Sequence, residues 1–396
     1  MSKEFIKEKI NQAVKILNEK NIDLWLIFTR ESGNMKDPMM DMLVGTNCTW
    51  QSAFIITRQG DSIAILGSLD VANMRTQGTY KEVHGYVKSI KEKLIEILDK
   101  YKPNKIAINH SRNSCVADGL THGMYLELLD HLSNTDHKNK LVSSEELVTA
   151  LRGRKSPSEL ELMKVSIAET LKIFGEVSSF IRPGVSEKEI ASFILNLCEQ
   201  RNYATAWEKD YCPSVFTGPD TAGAHAGPTD RLVEKGHVIN IDFGVKINGY
   251  CSDLQRTWYV LRDGETQAPQ EVLRGFNVIK DSIQLAAKEL KPGKKGCEID
   301  DIARNYIVQN GYEEYPHGLG HQLGRFAHDG GGLLAPRWER YGEVPFMPIE
   351  EGQVFTLEPR LTIKDFGIAT IEEEVVVTKE GCEFLSDPQK EIYLIK

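Results

Sequence analysis

Ile6, Ile10, Val14 and Leu17 place one apolar stripe along residues 3–20, which predicts an amphipathic helix at the start of the chain. The run Leu24 to Phe28 is apolar without alternation and reads as a buried strand. Two further apolar stretches, Trp50 to Thr57 and Asp61 to Leu66, flank Gln59-Gly60, a hairpin signal. Periodicity then predicts a helix over Ser89 to Lys100, a strand over Lys105 to Asn109 and a helix over Thr121 to Leu132. Helices alternating with strands in this way imply an α/β domain of about 150 residues.

A sharp boundary follows. Ser156-Pro157-Ser158-Glu159 combines an N-cap serine, proline at the first helical position and glutamate at the third, so a long helix should start here and run to Arg182-Pro183-Gly184. The domain boundary is therefore placed near Arg152 to Lys155, giving domains of residues 1–152 and 153–396. A second capping box, Ser186 to Glu189, opens the next helix. The second domain also echoes itself: Pro183-Gly184, Glu189 and Tyr203 recur as Pro292-Gly293, Glu298 and Tyr312, displaced by the same 109 positions. That constancy predicts two related halves about a pseudo-twofold axis, with a site between them.

In the first half, His237 to Val245 alternates, with Ile239, Ile241, Phe243 and Val245 on one face; Asn248-Gly249 is a type I′ turn signal, and Tyr250 to Val260 returns. A two-residue turn sets Ile247 opposite Tyr250, Gly244 opposite Asp253 and Asp242 opposite Gln255. Asp242 and Asp253 then share a face as diagonal neighbours. One strand aspartate is ordinarily solvated, but two on an otherwise apolar hairpin would be costly to bury unpaired, and a metal ion resolves that cost. Gly244 is expected to leave space for the ion.

The second half supplies His317-Gly318-Leu319-Gly320-His321-Gln322-Leu323-Gly324 and then His328-Asp329. Three histidines within twelve positions favour a site, and the glycines argue against a regular helix and for close backbone approach. Two apolar strands follow with carboxylates inside: Val354 to Pro359 carries Glu358, and Ile368 to Val377 carries Glu372, Glu373 and Glu374. Alternation sets Glu372 and Glu374 on one face and Glu373 on the other, without choosing among them. Asp, Asp, His, Glu and Glu form a donor set of oxygen and imidazole. It suits Mn²⁺, Mg²⁺ or Ca²⁺, with Zn²⁺, Co²⁺ or Fe²⁺ admitted by the imidazole. Four carboxylates exceed what one cation needs, so two metals with bridging carboxylates are expected.

Composition narrows the function. The 396 residues carry 48 Lys and Arg against 57 Asp and Glu, a net charge of −9, which argues against a nucleic-acid binder or an anionic-membrane binder. Seven cysteines are scattered without a C-x-x-C pair, which argues against a disulfide framework or a thiolate zinc site. The N-terminus has early charges of both signs and no apolar signal core, and no apolar run nears the ~18 residues of a membrane span. The expectation is a cytoplasmic protein.

These residues resemble the pita-bread metallopeptidases of the Xaa-Pro type, aminopeptidase P and prolidase. Ile241-Asp242-Phe243-Gly244 resembles the family's IDFG strand, and Ser252-Asp253-Leu254-Gln255-Arg256-Thr257 its SD-x-x-RT strand. His317 to Gly324 resembles HG-x-x-H-x-x-G, and Leu357-Glu358-Pro359 the LEP motif. The resemblance spans the chain. It implies an N-terminal creatinase-like α/β domain, then an α+β pita-bread catalytic domain. It implies metal ligands Asp242, Asp253, His321, Glu358 and Glu372, which selects Glu372 among the three glutamates. It also implies catalytic roles for Glu358, for His225 ahead of the IDFG strand, and for His328 and His317. The implied cofactors are two divalent metal ions, Mn²⁺ first, with Co²⁺ or Zn²⁺ as alternatives. The implied partners are proline-containing peptides and a second copy in a homodimer. Creatinase-like hydrolases of the same fold do not keep all five ligands, methionine aminopeptidases usually lack such an N-terminal domain, and a non-catalytic binding module would not need four buried carboxylates.

Two positions depart from the family pattern. Arg360 follows the Glu-Pro where glycine is usual, and Thr370 stands two before the last glutamate where arginine is usual. If Glu358 and Glu372 face each other, 360 lies opposite 370, so the guanidinium is expected to reach the metal-site carboxylates from the opposite strand. Arg337 and Arg340 are candidate anchors for a dipeptide carboxylate.

Overall fold

The computed structural model describes residues 2–396 apart from 220 and 222–225. The chain divides into two compact units, Met1–Arg152 and Gly153–Lys396.

The first unit contains α1 (Lys3–Glu19), β1 (Leu24–Thr29), β2 (Ser52–Thr57), β3 (Ser62–Gly67), α2 (Val71–Gln77), β4 (Glu82–Tyr86), α3 (Lys91–Tyr101), β5 (Ile106–Ile108), α4 (His122–His131) and β6 (Leu141–Ser143). The strands form one mixed sheet in the order β4-β3-β2-β1-β5-β6. Every residue of β1, β2 and β3 is buried, which explains why these stretches read as apolar runs without alternation. Leu24, Leu26, Phe28, Ile55 and Ile63 pack against Ile90, Leu94 and Leu98 near and in α3 and Met124 and Leu128 of α4. Thr121 caps α4, its hydroxyl accepting the Met124 N–H. The short α2 and the half-exposed β4 carry too little apolar periodicity to be read from sequence.

After α5 (Glu145–Gly153), the second unit opens with α6 (Pro157–Phe180) and α7 (Glu187–Gln200), each started by the capping box foreseen, at Ser156 and Ser186. The partners 109 positions later are α8 (Gln270–Glu289) and α9 (Gly296–Gln309). The C-terminal residue of α6 and both ends of α7 map onto those of α8 and α9 by that same displacement. Gly184 and Gly293, which join each pair, both sit at φ +87°, where glycine is favoured. Their N–H groups donate alike, to Val233 O at 2.8 Å and to Ile349 O at 2.9 Å. The echo is thus a structural repeat.

The strands that follow α7 are β7 (Ala204–Thr205), β8 (Ser214–Thr217), β9 (Val238–Phe243), β10 (Val245–Ile247), β11 (Tyr250–Cys251) and β12 (Leu254–Val260). Those that follow α9 are β13 (Val354–Leu357), β14 (Arg360–Ile363), β15 (Gly367–Thr370), β16 (Glu373–Val377), β17 (Cys382–Phe384) and β18 (Tyr393–Ile395). Each helix pair covers its own sheets. Phe174, Val177 and Ile194 pack on Ile239, Ile241, Phe243 and Trp258. Phe276, Ile283 and Ile307 pack on Phe355, Leu361, Ile363 and Val375.

The hairpin has the expected register, with Ile247 opposite Tyr250 and Asp242 opposite Gln255. Both of its arms are interrupted, between β9 and β10 at Gly244 and between β11 and β12 at Ser252 and Asp253. Gly244 does not leave room for an ion. A β-carbon there would lie 1.8 Å from the carbonyl oxygen of Ser252, so the glycine serves a backbone crossing. Gly320 is alike, with a β-carbon site 1.9 Å from Thr356 O. Gly244→Ala and Gly320→Ala should each destabilise the second unit by about 1–3 kcal/mol through overpacking. Calorimetric unfolding checks this, with the transition of Met1–Arg152 expected unchanged.

Candidate metal centre

Asp253, Glu358 and Glu372 stand at interruptions in the strands, and Asp242 lies within β9. β13 pairs with β16 and β14 with β15 in one continuing register, Leu357 opposite Glu373 and Arg360 opposite Thr370. Glu358 and Glu372 face each other in the gap between the two ladders. Asp253 occupies the corresponding break in the hairpin. Its N–H, freed from the ladder, donates to Glu374 Oε1 at 2.8 Å.

His321 links the halves of this arrangement. It lies in an extended segment between backbone bridges from Gly320 to Leu334 and from Gln322 to Phe355. Its N–H donates to Thr356 Oγ1 at 3.1 Å, which fixes the backbone. Its Nε2 lies 3.2 Å from Glu358 Oε1 and 3.8 Å from Asp253 Oδ2. Asp253, His321 and Glu372 each present a donor atom within 4.8 Å of the others, a spacing suited to one cation. Glu358 is held by the Thr356 hydroxyl at 3.3 Å and by the Gln255 amide at 3.4 Å.

The electrostatics are those of crowded acids. Burial and the charge of Glu358 push Asp242 up to about 8. Burial, followed by the charges of Asp242, Glu358 and Glu374, holds Asp253 well above its ordinary value. Burial with Asp253, Glu358 and Asp242 does the same to Glu372. Glu358 is the exception: burial pushes it up, but His321, His317 and His328 together hold it below the ordinary glutamate value. Among the described residues, neither carboxylate oxygen of Glu372 nor Oδ1 of Asp242 has a hydrogen-bond partner. Orphaned buried acid oxygens of this kind, beside an imidazole, fit divalent cations.

The three glutamates divide the work. Glu373 pairs with the buried Arg256 at 3.1 Å and accepts the Gln389 N–H at 2.8 Å. Glu374 carries the Asp253 backbone, and of the three only Glu372 has no hydrogen-bond partner for either oxygen among the described residues. Strand alternation could not distinguish these roles, because they depend on partners from other strands.

The histidines are placed as follows. The His328 ring packs edge-on against His321, with centroids 4.2 Å apart. His317 is held by Arg304, which forms a two-point pair with Asp300 and donates to the carbonyls of Tyr315 and His317. Burial lowers the His317 pKa, so its ring tends to neutrality. His225 lies outside the described residues. Spacing did not reveal Gln255, Thr356, Glu374 or the Arg304–Asp300 clamp. Gln255 alone had a signal, since the hairpin register sets it opposite Asp242.

Arg360 does lie opposite Thr370, but it does not reach the acids as expected. Its guanidinium is half-buried, and no carboxylate among the described residues pairs with it. Thr370 instead accepts a hydrogen bond from Asn240. Arg337 is bound by both carboxylate oxygens of Asp301, at 2.9 and 2.8 Å. Arg340 donates to Pro316 O and Tyr341 Oη.

The family model of metallopeptidase family M24 matches residues 161–379, more than half of the chain and every residue of this cluster. The chain belongs to metallopeptidase family M24. Its fold is the pita-bread fold of that family, preceded by the α/β unit. A peptidase of Staphylococcus epidermidis is 30% identical over 302 residues, covering 76% of this chain and 80% of its own. One from Staphylococcus saprophyticus is 28% identical over 341 residues, 85% of this chain and 88% of its own. Both carry the name uncharacterized peptidase. The solved structure of an Xaa-Pro dipeptidase from Bacillus anthracis superposes with a TM-score of 0.73 at 25% identity, covering 98% of this chain and all of that one. The X-Pro aminopeptidase from Thermotoga maritima gives 0.71 at 24%, covering 98% and 99%, and shows the fold alone. Members of this M24 metallopeptidase family depend on metal, and the Asp253–His321–Glu372 triad has the donors for it.

The crowding has a measurable sign. Asp242, Asp253 and Glu372 bind protons more tightly folded than unfolded. The stability they contribute to metal-free protein is complete below the ordinary carboxylate pKa and is lost as pH rises, for Asp242 through about 8. Metal-free protein should therefore melt lower at pH 8 than at pH 5.5, with a smaller difference in Asp242→Asn. Mn²⁺ binding at pH 7 should release protons, read as a binding heat that varies with the ionisation enthalpy of the buffer.

Proposed function

We propose that this chain is a metal-dependent Xaa-Pro peptidase, hydrolysing the bond between an N-terminal residue and proline. The observation that carries the reading is the set of buried acid oxygens on Asp242 and Glu372 without a hydrogen-bond partner among the described residues, beside His321. The Xaa-Pro preference is supported by the full-length likeness to the dipeptidase of Bacillus anthracis.

In this reading Asp242, Asp253, His321, Glu358 and Glu372 hold two divalent cations, Mn²⁺ by preference. Bound there, the ions would supply a water activated near neutral pH and would polarise the carbonyl under attack. The protein's own groups do the rest. Glu358, kept ionised by three histidines, takes the proton of the attacking water and delivers it to the leaving proline nitrogen. That delivery is needed because an amide nitrogen leaves only once protonated, as the amine; the Xaa-Pro bond, a tertiary amide, differs from other peptide bonds in offering no N–H for recognition. His328 and, by the family resemblance, His225 donate to the oxygen that gains negative charge. His317, half-buried and held by the Arg304 clamp, lines the same site. Gln255 and Thr356 orient Glu358 for the transfer.

The test uses chelator-stripped protein with Mn²⁺ restored, on an Xaa-Pro dipeptide and an Xaa-Pro-Yaa tripeptide. Metal-dependent cleavage is expected, and the ratio of the two rates separates dipeptidase from aminopeptidase action. Asp253→Asn and His321→Ala should lose detectable turnover while their circular dichroism spectra match the parent. Two bound metals without cleavage of either peptide would overturn the Xaa-Pro reading in favour of another hydrolase of this fold, creatinase-like included. Absence of metal binding would leave a non-catalytic binding module.

A further inference from the structure

Arg360 stands apart from the other arginines near the metal centre. Arg256, Arg304 and Arg337 each form an ion pair, and Arg340 is spent on a carbonyl and on the rings of Trp338 and Tyr341. Arg360 has no ion pair among the described residues. It is nevertheless half-buried, so it loses hydration without gaining an ion partner among the described residues.

Its direction follows from the sheet. Leu361 and Ile363, its neighbours on β14, point into the hydrophobic core, so Arg360 lies on the other face. Its cross-strand partner Thr370 shares that face and accepts a hydrogen bond from Asn240. Asn240 and Asp242 stand two apart on β9, on the face opposite the buried Ile239 and Ile241. Arg360 therefore faces the side on which the acidic cluster lies, and its charge acts on His317.

We propose that Arg360 receives the C-terminal carboxylate of the bound peptide and so selects substrates with a free acid one residue beyond the cleaved bond. The inference rests on the peptidase reading above. The placement fits: Glu358 and Arg360 stand two apart in one continuing register, so the guanidinium opens on the same face as the acid that handles the cleaved bond. The chemistry fits as well. A planar guanidinium takes a carboxylate by two parallel hydrogen bonds, and a carboxylate is the partner this one lacks. Thr370 leaves the approach open, since its hydroxyl is turned to Asn240.

The experiment compares Ala-Pro and Ala-Leu, each as the free acid and as the C-terminal amide, with wild type, Arg360→Lys and Arg360→Gly. Turnover is measured with Mn²⁺ restored, and the same four peptides are titrated calorimetrically onto metal-free protein, so that affinity is read without cleavage. Wild type should favour the acids over the amides. Arg360→Gly should lower kcat/KM for the acids tenfold or more, mainly through KM, and weaken their binding to match. The amides should change less than threefold. Arg360→Lys should fall between, because it keeps the charge without the two-point geometry. Parallel losses on acids and amides would overturn the proposal and leave Arg360 a structural residue; so would no loss on either. A wild type that cleaves Ala-Leu in preference to Ala-Pro would overturn the Xaa-Pro reading alone, with Arg360 then judged on the Ala-Leu pair.

Discussion

Mutual repulsion among Asp242, Asp253, Glu358 and Glu372 is the constraint around which the second unit is organised. Negative charges this close, with water largely removed, cannot all ionise without compensation. The protein supplies only part of it. His321 offsets Glu358, the Asp253 N–H is spent on Glu374, and Glu373 is neutralised by Arg256. Those pairings take the surrounding acids out of competition and concentrate the uncompensated charge on Asp242, Asp253 and Glu372, where a cation of M24 chemistry is wanted.

The scaffold achieves this by breaking its own ladders. The strands that lead to Asp253, Glu358 and Glu372 are interrupted at those acids, so the backbone groups there are available for side chains. Gly244 and Gly320 let the interrupted strands cross at distances that admit no β-carbon. The flanking cores are ordinary, with helix pairs on sheets, and they hold the gaps in register. Rigidity comes from the apolar packing and polarity from the breaks.

Much of this was legible in the chain. The hairpin register followed from Asn248-Gly249, because a two-residue turn admits one pairing, and both residues do adopt positive φ. The structural repeat followed from a constant displacement, because helix stops and capping boxes are written locally. The purpose of the glycines was misread, because whether a missing side chain makes room for a ligand or for another strand depends on distant sequence. Arg360 was misread for the same reason: register sets which residues are opposite, but not which groups bond. Thr370 turned to Asn240, from a third strand that the pairing of β14 with β15 does not mention.

The repeat has a thermodynamic consequence. Asp242 and Asp253 belong to the first half of the second unit, and His321, Glu358 and Glu372 to the second. Neither half holds the complete proposed donor set, and the Asp253–His321–Glu372 triad draws on both. Free energy released when a cation binds is therefore also free energy of association between the halves. On the proposed ligand set an ion would work as a clasp as well as a reagent, and the resting stability of the unit would follow the metal supply around it.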